Sequence, residues 1–138
     1  MSITLSSLNV IDDNNSKVGF VAWEGDSGLA TEEFRMNGTL LSSALSPLNN
    51  VFNGTNSITG SSTLYNMDLD IYDIQNNIAV GDTSAEITLT SFQDFVMINT
   101  VVTKLNSQLP DATVSIDSVE KQCDSKTIGV NYTVSNLN

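Results

Sequence analysis

The sequence predicts an α+β fold, mainly antiparallel β-sheet or sandwich, with one well-formed amphipathic helix over about 91–109 and a second short helix over about 40–52. Three observations lead there. Several segments alternate apolar and polar residues with period two, as half-buried strands do. Phe92, Phe95, Ile98, Val102, Leu105 and Leu109 recur at i+3/i+4 spacing, the signature of a helix face. Turn signals, Asn37-Gly38 among them, separate the runs.

The chain opens with a strand over Ile3–Ile11, a turn at Asp12–Ser16 and a second strand over Lys17–Trp23. Within the second, Val18-Gly-Phe-Val-Ala-Trp23 is apolar on both alternating faces, which suits a central strand or one covered by a partner. Glu24–Glu33 reads as a polar loop containing Gly25 and Gly28. Residues 34–52 carry two signals. Asn37-Gly38 is a two-residue hairpin turn, yet Leu40, Leu41, Ala44, Leu45, Leu48, Val51 and Phe52 follow helical spacing with Thr39 as N-cap. Pro47 interrupts that spacing and Asn53-Gly54 stops it, so a short or kinked helix is expected.

Asn53–Ser62 is a Gly/Ser/Asn loop between two halves. Tyr65, Met67, Leu69 and Ile71 then alternate with Asn66, Asp68, Asp70 and Tyr72 as a half-buried strand. After a turn at Asn76–Thr83, Ala85, Ile87 and Leu89 alternate with Glu86, Thr88 and Thr90. Ser91 with Asp94 resembles a capping box for the main helix, and Pro110 ends it. Ala112–Val119 and Thr127–Val134 close the chain as a hairpin. Val114 and Ile116 in one strand, and Ile128, Val130, Tyr132 and Val134 in the other, are assigned to the core.

A chain of 138 residues fits one domain, 1–138. Five cations face sixteen carboxylates, for a net charge of −11. None of the cations adjoins another, which argues against direct nucleic-acid binding and against an anionic membrane surface. No apolar run approaches a membrane span, and the first residues lack a basic start and an apolar stretch. A role outside a cell would then need a signal-independent exit such as lysis. Asn, Ser and Thr supply 48 of the 138 residues, a surface style associated with secreted, cell-surface and virion proteins. The single cysteine, Cys123, allows no internal disulfide, and Asp124 beside it disfavours a thiolate.

Catalytic apparatus is missing from the pattern. The chain has no histidine, hence no imidazole base or ligand, and no phosphate-cradling or nucleophile-elbow motif. No catalytic residue and no cofactor is assigned. Asp68 and Asp70 lie two apart on a strand and share a face, as an acid/base pair or calcium ligands would, although the solvated face of an alternating strand is the favoured explanation. Asp12 and Asn14 resemble the opening of a calcium loop, but Lys17 and Trp23 occupy the positions where such a loop needs glycine and glutamate. An Asx-rich turn accounts for the same residues. Trp23, at a strand end, is either a core residue or a partner anchor. Met97 and Val101 widen the helix stripe beyond what one sheet requires, so Trp23, Met97 and Val101 are the candidate interface; a helix buried between a sheet and a loop is the competing explanation.

These features point to a non-enzymatic structural subunit of an extracellular or virion assembly, such as a phage capsid decoration or tail-tube protein. Its partners are expected to be copies of itself or a larger protein assembly. The alternative is a ligand-binding or adhesive surface module with calcium held at Asp68, Asp70, Asp12 and Asn14. Location in the virion or outside the cell is expected, with the cytoplasm as the alternative.

Overall fold

The computed structural model of the chain describes residues 1–108, 112–121 and 127–136. Nine strands form among them: β1 (Ser2–Ser6), β2 (Val10–Trp23), β3 (Glu33–Met36), β4 (Thr39–Leu40), β5 (Met67–Asp73), β6 (Ser84–Thr90), β7 (Met97–Ser107), β8 (Ala112–Lys121) and β9 (Ile128–Asn136). No helix occurs among the described residues, so the expected α+β class is corrected to all-β with antiparallel sheets. The chain falls into two compact units, Met1–Gln108 and Leu109–Asn138.

The first unit is a sandwich. One sheet has the order β1-β6-β3-β4 and the other β5-β2-β7. Their inward side chains form one core: Val18, Phe20 and Ala22 from β2, Tyr72 from β5, Phe34 and Met36 from β3, and Ala85, Ile87 and Leu89 from β6. Phe20 is its hub. Its ring meets Phe34 and Phe52 edge to face at 5.1 Å each and stacks with Tyr72 at 6.1 Å. Such edge and offset contacts each add about 0.5–1.5 kcal/mol beyond area burial.

The segment expected to be the main helix, 91–109, is instead a loop followed by β7. Five of the six residues from Ile98 to Thr103 explain the choice, because Ile98, Thr100, Val101, Val102 and Thr103 are β-branched and lose side-chain freedom in a helix. The helical spacing has a separate origin. Opposite β2 the register slips between Val21, paired with Thr100, and Ala22, paired with Ile98, so Asn99 is bulged out. The bulge lets Ile98 and Val101 face the same core three residues apart. Leu105 follows at four, two pleats further on. Leu109 and Pro110, assigned to the helix end, lie outside the described residues.

The second expected helix, 40–52, is also absent. Asn37 (φ 49°) and Gly38 (φ 79°) form the tight turn that joins β3 to β4, with Met36 opposite Thr39. Beyond it the chain runs irregularly, Ser46 being buried while Leu48 is exposed, the reverse of a helix face. The Ser43 hydroxyl accepts the N–H groups of Leu45 and Ser46, and Asn49 O accepts those of Thr31 and Glu32. Local side-chain bonding of this kind competes with a helix ladder. The turn expected at Asp12–Ser16 is a distortion inside the single long strand β2, with Asn15 at φ 54°.

In the second unit β8 and β9 form an antiparallel hairpin, close to the expected ranges. Cys123 and the connection between the strands lie outside the described residues.

Candidate interaction surface

Strand alternation fixes which side chains leave the sandwich. Val18, Phe20 and Ala22 of β2 point inward, so Lys17, Gly19, Val21 and Trp23 point outward. The ladders extend that outer face on both sides. On β5, Leu69 lies opposite Val21 and Ile71 opposite Gly19. On β7, Val102 lies opposite Gly19 and Met97 opposite Trp23. The outer face is therefore largely apolar from Gly19 to Trp23, with Lys17, Asp73 and Lys104 at its other end. Trp23 and Ile71 are each 41% exposed, Met97 50% and Val102 59%.

A depression of about 250 Å³ opens over Gly19, lined also by Val21, Leu69, Ile71 and Val102, with Lys17 and Lys104 at one end. A Cβ at Gly19 would lie 2.5 Å from Asp70 O, so the strand packing itself demands glycine there and keeps the depression open. Lys17 pairs with Asp73 in a largely exposed contact, worth little to stability.

The hairpin carries a second apolar face. Val114 pairs with Val134, Ile116 with Tyr132 and Val119 with Val130. Ile116 and Val119 are three apart and would normally face opposite ways. A bulge between Ile116 and Ser118 restores Val119 to the apolar side. Asp117, at the bulge, turns to the polar side and accepts the hydroxyls of Ser115 (3.3 Å) and Thr133 (2.6 Å). The core assignment for Val114, Ile116, Ile128, Val130, Tyr132 and Val134 is corrected: they share a face, but each is between 44% and 67% exposed. A two-stranded hairpin has one layer, and one layer cannot bury its own apolar side.

Trp23 and Met97 thus stand together on an exposed face, as cross-strand neighbours instead of members of separate elements. Val101 does not join them; it points inward against the core. Leu69, Ile71 and Val102, which complete the face, were not singled out from sequence. The signal was present in Val18–Trp23, apolar on both alternations.

Asp68 and Asp70 lie on the opposite, core side of β5, and both are 0% exposed. The solvated-face explanation for them is therefore corrected. Their oxygens hold the irregular 41–66 segment against the sheet. Asp68 Oδ1 accepts the N–H groups of Asn53 (2.9 Å), Gly54 (2.8 Å) and Thr55 (3.0 Å). Asp70 Oδ1 accepts Ser57 N–H at 2.9 Å, and its Oδ2 accepts the Thr55 hydroxyl at 2.8 Å and the Ser46 hydroxyl at 3.2 Å. Burial pushes the Asp68 carboxyl up to about 6, against the pull of those N–H donors. Glu32, which sequence gave no reason to single out, is also fully buried. Burial raises it to about 7, with Phe52 N–H bonding at 3.3 Å opposing and the Asp94 charge adding.

Neither carboxylate pair is arranged around a cation. Asp68 Oδ1 and both Asp70 oxygens already accept hydrogen bonds, while Asp68 Oδ2 is buried without one, and among the described residues no three His, Cys, Asp or Glu side chains converge on one point. Asp12 and Asn14 form an Asx turn, with Asn14 N–H and Nδ2 donating to Asp12 Oδ1 at 2.9 and 2.7 Å. No helix among the described residues is long and apolar enough to cross a membrane.

No family model, curated protein or solved structure matches the chain. Its surface is then the whole basis for a functional reading. That surface offers an apolar face on β5-β2-β7 and another on the hairpin, and further exposed apolar side chains such as Phe92 and Phe95 lie outside both.

Proposed function

We propose that this protein is a non-enzymatic structural subunit that assembles with copies of itself in an extracellular or virion particle, of the capsid-decoration or tail-tube kind. One observation carries the reading: the outer face of β5-β2-β7, from Trp23 and Met97 to Ile71 and Val102, is apolar and exposed. Large contiguous apolar patches are uncommon on monomeric soluble proteins and mark interaction sites. The buried carboxylates support the same reading, because they anchor a loop instead of converging on a substrate space.

The charge of −11 fits an assembled subunit with a soluble outward surface or a lumen that repels nucleic acid. It also opposes association by mutual repulsion, so assembly should strengthen as salt screens it. Electron microscopy and sedimentation of purified protein test the reading. Rings, tubes or caps at high concentration and moderate salt are expected. A strict monomer across the concentration range, with and without added salt, would refute it.

A further inference from the structure

We propose that the β8–β9 hairpin of one copy packs face to face over the β5-β2-β7 sheet of the next, so that subunits join head to tail. The proposal rests on the self-assembly reading above and names its interface. Both surfaces are pleated, antiparallel and apolar, and two such sheets pack about 10 Å apart with interdigitating side chains.

The extents match. The apolar side of the hairpin exposes on the order of 700 Å², close to the roughly 800 Å² per partner of a standard interface. The shapes are complementary as well. The sheet has a depression where Gly19 lacks a side chain, and the hairpin presents its bulkiest pair, Ile116 opposite Tyr132, near the middle of its strands. Each face needs cover and the same chain supplies both, in equal numbers. The bulge at Asp117 is a second sign of design for contact, since it spends ladder regularity to keep Val119 on the apolar side.

The two faces differ in sequence and strand number, so the contact is heterologous. Heterologous contacts form rings where the rotation closes and filaments where it does not. Each subunit then has one free donor face and one free acceptor face, which gives a sharp experiment.

Val102→Asp places a charge on the sheet face, and Tyr132→Asp places one on the hairpin face. Both positions are exposed, so each variant should melt near the wild type at dilutions where the wild type is dissociated; Ile71→Asp and Ile116→Asp provide a second pair under the same criterion. Sedimentation equilibrium is then measured on wild type, each variant alone, and an equimolar mixture. Each variant alone should be monomeric, with half-assembly shifted by about a hundredfold in concentration or more. The mixture retains one intact sheet face and one intact hairpin, so it should give a one-to-one dimer that grows no further.

A sheet-face variant that still dimerises alone would indicate hairpin-to-hairpin pairing and overturn the proposal. A hairpin variant that still dimerises alone would overturn it through sheet-to-sheet pairing. Wild-type assembly unaffected by either charge would also overturn it while leaving the self-assembly reading intact. A monomeric wild type removes that reading and the interface with it.

Discussion

Asp68 accepts the backbone N–H of Gly54 at 2.8 Å from the core side of β5, with Gly54 held at φ 74°. The same oxygen takes two further N–H groups, from Asn53 and Thr55. One carboxylate therefore replaces the ladder partners that an irregular segment lacks. Buried N–H groups left without an acceptor cost about 1–3 kcal/mol apiece. Asp68→Ala should lose about 3 kcal/mol at pH 7. Asp68→Asn keeps an acceptor oxygen and should stay within about 1 kcal/mol of wild type. Urea denaturation checks the difference, and equal losses in the two variants would show that Asp68 anchors nothing.

Burial of Asp68 and Glu32 also sets the pH dependence. Their folded-state values, about 6 and about 7, lie above the ordinary values of 3.8 and 4.5. Between pH 4 and 7 the folded protein therefore binds more protons than the unfolded chain, and stability falls as pH rises. Each group contributes on the order of 3 kcal/mol of loss across that window. Melting should thus be higher at pH 5 than at pH 7.5. The gap should shrink in Glu32→Gln and Asp68→Asn. An unchanged gap in both variants would assign the effect to the general negative charge.

How much of this was legible in the sequence depends on which signal each residue carried. Ala85, Ile87 and Leu89 gave their strand and its inner face directly, because a solvated side and a buried side alternate cleanly. The hairpin at 112–136 was legible because apolar and polar residues alternate along it, although its apolar side is exposed. In β5 the alternation was clear but its sense was inverted. Leu69 and Ile71 face outward, while Asp68 Oδ1 and both oxygens of Asp70 are buried and accept hydrogen bonds from residues 46–57. Hydropathy cannot anticipate that, since the donors come from a loop whose path is set by tertiary contacts. The helix failed because a bulge at Asn99 imposed a spacing of three on an extended chain. β-branched composition at 98–103 was the contrary evidence, and it decides the matter physically.

Glycine positions give a paired test of close packing. A Cβ at Gly25 would lie 2.4 Å from Asp68 Oδ2 and 2.6 Å from Phe52 O, and the second atom is backbone. At Gly28 nothing lies within 4 Å, and the loop is equally polar. Gly25→Ala should cost about 2 kcal/mol or more, within the range of overpacking penalties. Gly28→Ala should change stability by less than about 0.5 kcal/mol. Chemical denaturation of both variants measures this, and comparable stabilities would mean that the 41–66 segment shifts freely away from Gly25.

The two faces of one sheet should respond oppositely to truncation. Phe20 points inward into three aromatic neighbours, so Phe20→Ala should cost about 3–5 kcal/mol and be independent of protein concentration. Val102 is 59% exposed on the other side of the same sheet. Val102→Ala should leave the isolated subunit within about 0.5 kcal/mol of wild type, because little packing is lost. Its cost should appear only where subunits meet, as a loss of the concentration dependence of melting that assembly confers. Melting curves at two concentrations a hundredfold apart separate the effects. A Val102→Ala protein that is destabilised equally at both would place that side chain in the folding core and remove the outer face from consideration as a docking surface.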